Sequence, residues 1–199
     1  MSDASNDQRA AILALRHGDV GGLEVLVRLY QARALRTAYM VVRDQQTAED
    51  IVADAFLVVY DRIEQFDTRR PFEPWFYRIV VNGALKTLRS TQRTRTTHDL
   101  ESGIPLQRVD IAPGPEMDVI RRETQQQVLD IVQSLPPSQR AALVLRYYLD
   151  MDERTIAKTL DCALGTVKWR LHMAKRRMRQ SIVQADPDAG IVYIKGETS

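Results

Sequence analysis

Carboxylates repeat along one part of the sequence at a spacing suited to an ionic contact with a basic partner. Residues 44–67 contain seven Asp or Glu and a single Arg. Four residues at intervals of 4, 3 and 4 would share one helix face, and they are Asp50, Asp54, Leu57 and Asp61. Asp54 lies two residues from Val52, roughly 200° around a helix axis, so this face points away from the apolar one. This acidic stripe predicts a docking surface for a helix rich in Arg or Lys, and a plain solvated face is the alternative.

The charge reverses in the next part of the chain. Residues 77–95 contain five Lys or Arg and no acidic residue. Intervals of 4, 4, 3 and 4 place five polar side chains on one helix face, and they are Arg78, Asn82, Lys86, Arg89 and Arg93. Cationic groups bind phosphates and an amide can read a base edge. This basic stripe predicts a nucleic-acid contact, with a solubilising surface as the alternative.

A loop between these two segments places Arg69 and Arg70 between Phe66 and Phe72. Aromatic rings and guanidinium planes can hold an unstacked base. The same residues are equally compatible with a turn in which both phenylalanines fill the core. Trp75, just after the loop, is predicted to be a core residue.

The carboxy-terminal half has the pattern of a helix-turn-helix. A short segment with Ile156 and Leu160 precedes a tight turn and a longer helix. The buried face of that longer helix is spaced 4, 3 and 4, and it consists of Val167, Leu171, Ala174 and Met178. Six basic residues and no acid occur over 165–179, which is typical of a helix that enters the major groove of DNA. The residues left outside are Lys168, Trp169, His172, Lys175, Arg176 and Arg179, and Thr166 at the helix start is placed to meet a phosphate.

Residue types needed for catalysis or metal binding do not cluster in the sequence. His17, His98 and His172 are scattered, and together with the single Cys162 they show no metal-ligand spacing. The sequence has neither a Gly-rich phosphate loop nor a nucleophile-elbow motif. We therefore predict no catalytic residue, no metal, no cofactor and no enzymatic activity.

Composition and periodicity predict that helices position these residues. The chain of 199 residues is 44% apolar and 27% charged, and its commonest residues favour helix over strand. The first half contains three predicted helical stretches: 12–42, then a helix capped by Thr47 that ends near residue 65, then 75–90. The predicted elements of the second half are a helix ending at Ser134, one opened by Pro136 and Pro137 that ends at Tyr148, one from a cap at Asp152 to Leu160, and one from Leu164 to Ile182.

Charge and composition divide the chain into two domains. Residues 1–90 carry 12 basic and 12 acidic groups, whereas residues 121–182 carry 12 and 6. The intervening segment is rich in Pro, Ser and Thr and lacks periodicity. We predict an all-α protein of two small helical bundles, 10–90 and 119–182, joined by an irregular linker over 91–118 and followed by a tail over 183–199. A basic bundle beside a balanced one indicates that the two have different partners.

The sequence also indicates where the protein acts. No segment approaches the roughly 18 apolar residues that a membrane span requires, and residues 1–9 lack the apolar core of a signal peptide. The one cysteine excludes an internal disulfide. We predict a cytoplasmic protein with no membrane insertion of its own.

The order of these motifs resembles the extracytoplasmic-function (ECF) sigma factors, a minimal bacterial group that keeps only sigma domains two and four. The resemblance covers about residues 20–180 of the sequence. It rests on Ala48-Glu49-Asp50, Phe72-x-x-Trp75-Phe76-Tyr77-Arg78-Ile79-x-x-Asn82, Leu135-Pro136-x-x-x-Arg140 and Gly165-Thr166-Val167-Lys168-x-Arg170-Leu171. The chain departs from the family at Ala53, Thr155, Trp169 and Met173, where Gln, Glu, Ser and Arg are common.

This resemblance implies a sigma factor that binds core RNA polymerase and directs promoter-specific transcription initiation. The acidic stripe would dock on the clamp coiled coil of the β′ subunit, and the second bundle would lie against the β flap. The residues that would melt and read the minus-ten element are Arg69, Arg70, Arg78, Asn82, Lys86 and Arg89. Those that would read the minus-thirty-five element are Thr166, Lys168, Trp169, Arg170, His172, Met173 and Arg176. An anti-sigma protein often holds such factors inactive.

Two other functions compete with this one. A helix-turn-helix regulator that binds operator DNA alone would explain the second bundle, but it would leave the acidic stripe and the Trp75 segment without a role. A sigma-like decoy that binds an anti-sigma protein usually carries a receiver domain, and 199 residues leave no room for one.

Overall fold

Apolar residues at helical spacing form helices in both halves of the protein. The structure is a computed structural model that describes residues 2–97 and 119–185, with side chains over 6–92 and 127–182. Over these residues all regular secondary structure is helical, which confirms the predicted all-α class. The chain divides into two units, residues 1–107 and 108–199. Most of the predicted linker, and the predicted tail from residue 186 onwards, lie outside the described residues.

The described residues of the first unit form four α-helices and one short 3-10 turn. They are α1 (Ser2–Arg16), α2 (Gly21–Val42), α3 (Gln45–Arg62), the 3-10 turn Ile63–Gln65, and α4 (Phe72–Thr97). The prediction of one continuous helix over 12–42 is wrong, because a turn separates α1 from α2. Gly18 has a φ of 85°, a left-handed conformation that glycine adopts without steric cost. The Asp19 carboxylate then accepts a hydrogen bond of 2.8 Å from the Gly21 N–H at the start of α2.

The amino-terminal cap of α3 is Asp44 and not the predicted Thr47. The Asp44 carboxylate accepts a hydrogen bond of 2.7 Å from the Thr47 N–H, one of the free donors at a helix start. Hydrogen bonding by Thr47 lowers the pKa of Asp44 below its usual value. Thr47 is therefore a residue of the first turn of α3, and α3 begins at Gln45.

Helix α4 is longer than predicted at both ends. It begins at Phe72, three residues before Trp75, and continues to Thr97, seven residues beyond Ser90. Pro74 lies in the first turn, where a backbone N–H is not needed for helical hydrogen bonding. Residues 91–97, predicted as part of the linker, are thus helical.

The core of the first unit is aromatic. The inner face of α3 and the segment after it are buried, and Val52, Phe56, Val59, Ile63 and Phe66 are all at most 7% exposed. The Phe76 ring lies 5.0 Å from the Phe56 ring and 5.5 Å from the Tyr30 ring, measured between centroids. Tyr30 of α2 donates its hydroxyl to Gln8 of α1, and burial raises the pKa of this tyrosine above its usual value. These contacts connect α1, α2, α3 and α4 around one centre.

The second unit has a helix-turn-helix at its carboxy-terminal end. Its helices are α5 (Val119–Ser134), α6 (Pro137–Tyr147), α7 (Glu153–Thr159) and α8 (Leu164–Ala185). The predicted cap Asp152 is confirmed, since its carboxylate accepts hydrogen bonds of 2.8 and 2.9 Å from the Arg154 and Thr155 N–H groups. Hydrogen bonding by Thr155, and to a smaller extent by Arg154, lowers the pKa of Asp152 below its usual value. The predicted buried face of α8 is also confirmed at Val167, Leu171 and Ala174.

None of the described helices combines the length and apolar character that a membrane crossing requires.

Candidate protein- and DNA-binding surfaces

The acidic stripe lies on the outer face of α3. Asp50, Asp54, Leu57 and Asp61 are all exposed, and the Leu57 side chain is 61% exposed. Asp50 accepts a hydrogen bond of 3.2 Å from the Gln46 amide. Within the part of the chain that the structure describes, no Lys or Arg forms an ion pair with the stripe. The stripe therefore presents unneutralised charge and one large apolar side chain to solvent.

Tyr60, at 48% exposed, extends this surface and was not singled out from the sequence. Its position three residues after Leu57 on the helix places the two apolar side chains side by side. The spacing alone contained this signal, but an isolated tyrosine in an apolar segment is usually assigned to the core.

The basic stripe lies on the outer face of α4 in the same unit. Arg78, Lys86 and Arg89 are exposed, and Asn82 is half-buried. The opposite side of α4 is buried through Phe76, Tyr77, Val80, Val81 and Ala84. Arg93, which the sequence also placed in the stripe, has a side chain outside the described ones. Three cations thus follow one helix face at a spacing suited to a nucleic-acid backbone.

The loop before α4 resolves the two alternatives that the sequence left open. Phe66 and Phe72 are 4% and 1% exposed, and their rings pack edge to face at 5.6 Å. The predicted core residue Trp75 is half-buried at the rim, 4.9 Å from the Phe66 ring. The phenylalanines therefore fill the core and are not available to stack on a base. Arg69 and Arg70 are available, with side chains 88% and 80% exposed.

Asp67 holds both of these arginines, a contact that the sequence reasoning missed. Its carboxylate accepts hydrogen bonds of 2.9 and 3.0 Å from the Nε and Nη2 groups of Arg69, and it lies 3.5 Å from Nε of Arg70. Hydrogen bonding from the Arg69 side chain lowers the pKa of Asp67 to about 2. The carboxylate is therefore ionised at neutral pH. The only sequence signal is the short separation of Asp67, Arg69 and Arg70.

The helix α8 presents the predicted recognition surface of the second unit. Lys168, Trp169, His172 and Arg176 are exposed, and Thr166 and Met173 are half-buried. Those four residues and Met173 share the side of α8 that faces away from the core.

Arg170 and Thr166, two of the residues predicted to read DNA, also make contacts within the second unit. Arg170 is half-buried, with its Nη1 3.6 Å from the Cys162 sulfur. The Thr166 N–H donates to the Ala163 carbonyl at 2.9 Å, so the group of Thr166 that is left for a phosphate is its hydroxyl. The two bonds lie within the helix-turn-helix and leave its outer face unchanged.

Among the described residues no group of three or more His, Cys, Asp or Glu is placed to hold a metal ion.

Two family profiles match the chain in the order of its two units. The profile described as Sigma-70 region 2 matches residues 26–94, which include α3 and most of α4. The profile described as Sigma-70, region 4 matches residues 125–178, which include the helix-turn-helix. A helix-turn-helix unit preceded by a region 2 unit defines the class of RNA polymerase sigma factors.

Curated relatives narrow this class. The RNA polymerase sigma-E factor of Streptomyces coelicolor is 30% identical over 173 residues, covering 86% of this chain and 92% of that protein. The ECF RNA polymerase sigma-E factor of Haemophilus influenzae is 29% identical over 192 residues, covering 92% and 98%. The ECF RNA polymerase sigma factor SigW of Bacillus subtilis is 26% identical over 179 residues, covering 86% and 94%. The chain belongs to the ECF sigma factors of RNA polymerase.

Solved structures share the fold. CnrH, in complex with the cytosolic domain of CnrY, superposes with a TM-score of 0.63 at 18% identity, covering 90% of this chain and 99% of that one. The sigma factor RpoE of Bartonella quintana, in complex with the anti-sigma factor NepR, gives a TM-score of 0.59 at 19% identity, covering 92% and 98%.

Family membership decides between the functions that the sequence left open. A sigma factor works with core RNA polymerase and promoter DNA in transcription initiation. The alternative of a helix-turn-helix regulator that acts without polymerase is therefore wrong.

Proposed function

We propose that the protein directs promoter-specific initiation through three separate surfaces, of which the acidic stripe docks on core RNA polymerase. Asp50, Asp54 and Asp61 give this surface its charge, and Leu57 gives it an apolar centre. The fitting partner is a helical surface rich in Arg or Lys, which we assign to the clamp coiled coil of the β′ subunit. The observation that carries the proposal is that every residue of the stripe on α3 is exposed while α4 of the same unit exposes cations.

The loop before α4 and the basic stripe would form the minus-ten surface. Arg78, Lys86 and Arg89 are positioned to follow a phosphate backbone, and Asn82 is the residue that can read a base edge. Arg69 and Arg70 would leave Asp67 to bind a melted strand, since an exposed ion pair is worth little and is readily exchanged. With Phe66 and Phe72 buried, capture of an unstacked base depends on these arginines and not on a phenylalanine ring.

The outer face of α8 would form the minus-thirty-five surface. Lys168 and Arg176 supply charge for the phosphates, and Trp169 and His172 face the base edges. Arg170 and Met173 lie at the margin of this face, and Thr166 would meet a phosphate at the helix start. The unit that carries α8 would also lie against the β flap.

An anti-sigma protein would regulate this sigma factor. The anti-sigma proteins bound to sigma factors of the same fold, such as NepR on RpoE, support an anti-sigma partner for this chain. We infer that the protein has no catalytic activity, inserts into no membrane and acts in the cytoplasm, where RNA polymerase transcribes. The predicted domain bounds of 10–90 and 119–182 move outward to the ends of α4 at Thr97 and α8 at Ala185. The linker would then begin after Thr97 and the tail after Ala185.

The direct test is abortive and run-off transcription with purified core RNA polymerase on fragments of genomic DNA, followed by mapping of start sites. We expect initiation from promoters that core polymerase alone does not use. No stimulation on any fragment would refute the proposed function. Co-purification with core polymerase provides the independent measure of docking.

Within this assay, the double variant Lys168→Ala/His172→Ala is expected to lower promoter use about tenfold, because it removes a phosphate contact at Lys168 and a base contact at His172, the latter worth roughly 1–3 kcal/mol. Binding to core polymerase should not change. The double variant Gln31→Ala/Gln127→Ala, which alters two exposed residues on other helices, α2 and α5, serves as the control. Unchanged promoter use by the Lys168 and His172 variant would remove α8 from base recognition.

A further inference from the structure

Trp169 is a large apolar side chain that the second unit leaves uncovered. Its side chain is 57% exposed. Tyr147 of the same unit is equally exposed, but the Lys175 ammonium lies 5.6 Å from the centre of its ring. In the described part of the chain no ring or cation covers the Trp169 indole. Exposed indole surface is unfavourable in water, so the position favours a partner that covers it.

The indole points directly away from the core of its own unit. Trp169 lies two residues from Val167 and two from Leu171, which are 0% and 6% exposed, so it is roughly 200° around the helix axis from each. His172 and Met173 follow at three and four residues and lie beside it. Lys168 and Arg176 flank this group and are exposed. An apolar centre surrounded by cations fits double-stranded DNA, because DNA has an anionic backbone and exposes apolar groups in its major groove.

The chemistry of this face selects one base. Guanine is read by a bidentate Arg or Lys and adenine by a bidentate Asn or Gln, whereas thymine offers a C5 methyl group to an apolar side chain. The outer face at the start of α8 carries no Asn or Gln. Arg170 is directed to the Cys162 sulfur, and Lys168 and Arg176 are the residues that we assign to the phosphates. Its apolar residues are Trp169 and Met173.

We propose that Trp169, supported by Met173, reads thymine in the minus-thirty-five element through the C5 methyl group. This inference rests on the proposed function, namely that α8 enters the major groove of that element. It assigns to this chain a preference for A·T pairs at the positions that Trp169 meets.

The test removes only the methyl group from the DNA. Thymines of the minus-thirty-five element in a mapped promoter are replaced one at a time by deoxyuridine, which keeps the base pairing and the O4 acceptor. We expect the holoenzyme to form open complexes about fourfold less well at one or two of these positions, the effect of one buried methyl-sized group. The same replacement in the spacer between the two elements should change nothing.

A protein variant then identifies the reader. Trp169→Ser should bring the ratio of thymine to deoxyuridine promoter use close to one, whereas Tyr147→Ser, an equally exposed aromatic residue, should keep the wild-type ratio. Because Trp169 is exposed, its replacement should leave the thermal unfolding temperature unchanged. Retention of the wild-type ratio by Trp169→Ser overturns the inference.

Failure of the inference and failure of the proposed function are distinguishable. Equal use of thymine and deoxyuridine at every position, or an element without A·T pairs, overturns the inference, while the effect of Lys168→Ala/His172→Ala still supports α8 as the reading helix. Absence of initiation on any promoter overturns both.

Discussion

The double variant Asp50→Lys/Asp54→Lys is expected to bind core RNA polymerase at least about tenfold more weakly than the wild type, because like charges brought together at an interface cost several kcal/mol. Both carboxylates are exposed on α3, and their replacement opposes a basic partner with two further cations. Titration of labelled protein with core polymerase measures the affinity. The loss should be greatest at low salt, since exposed charges are screened as ionic strength rises.

This variant should remain folded. Exposed ion pairs contribute roughly 0–1 kcal/mol to stability, and the stripe forms no ion pair within the described residues. Circular dichroism and thermal unfolding verify the fold. The matched control is Asp7→Lys/Glu24→Lys, which makes the same charge change at exposed positions of α1 and α2. Normal affinity of the Asp50 and Asp54 variant, or equal loss in the control, would show that the stripe does not dock.

Gly22→Ala is expected to destabilise the packing of α1 on α2 by about 3 kcal/mol, the upper part of the usual range for overpacking. A Cβ atom at Gly22 would lie 2.3 Å from the Ala11 carbonyl oxygen and 2.7 Å from the Leu15 backbone nitrogen. Both atoms belong to the backbone of α1, so relief requires the two helices to separate. Ala11, Ile12 and Leu15, each 4% exposed, would then lose their cover.

The neighbouring glycine is the control for this prediction. A Cβ atom at Gly21 would meet only the Asp19 side chain, at 3.0 Å, and that side chain can move. Gly21→Ala should therefore change the free energy of unfolding by less than about 1 kcal/mol. The better helix propensity of alanine offsets part of any destabilisation from this contact. Urea unfolding of the full chain and hydrogen exchange of the α1 amides measure both variants. Equal protection of Ala11 to Leu15 in the Gly22 variant and the wild type would contradict the close approach.

Helical periodicity predicted much of the fold and the charged surfaces on α3, α4 and α8. The separation of Asp54 from Val52 placed one outside and the other in the core, and the structure has Asp54 exposed and Val52 2% exposed. The same reasoning placed Lys168 outside and Val167 inside on α8. These predictions depend on the helix alone, since 3.6 residues per turn fix which residues share a face. The roles of these surfaces in binding polymerase and DNA stay predictions.

Local rules failed where alternatives of similar energy compete nearby. Asp44 and Thr47 are both good cap residues, and the residues around them do not indicate which of the two caps the helix. The separation of α1 from α2 was missed for another reason, because apolar residues at helical spacing resume directly after the turn at Gly18 and Asp19.

By itself, the sequence determined that the protein is helical, where its charges would lie and which family it resembles, because all of these follow from neighbours along the chain. Only the tertiary structure decided which aromatic residues fill the core. Phe66 and Phe72 are buried because Tyr30, Trp75 and Phe76 converge on them from other helices, while Trp169 has no such neighbours among the described rings. Whether a side chain is buried depends on which residues of neighbouring helices pack against it. The distance between two helices is in turn set by contacts between residues that are far apart in the sequence, such as the contact of Gly22 with α1.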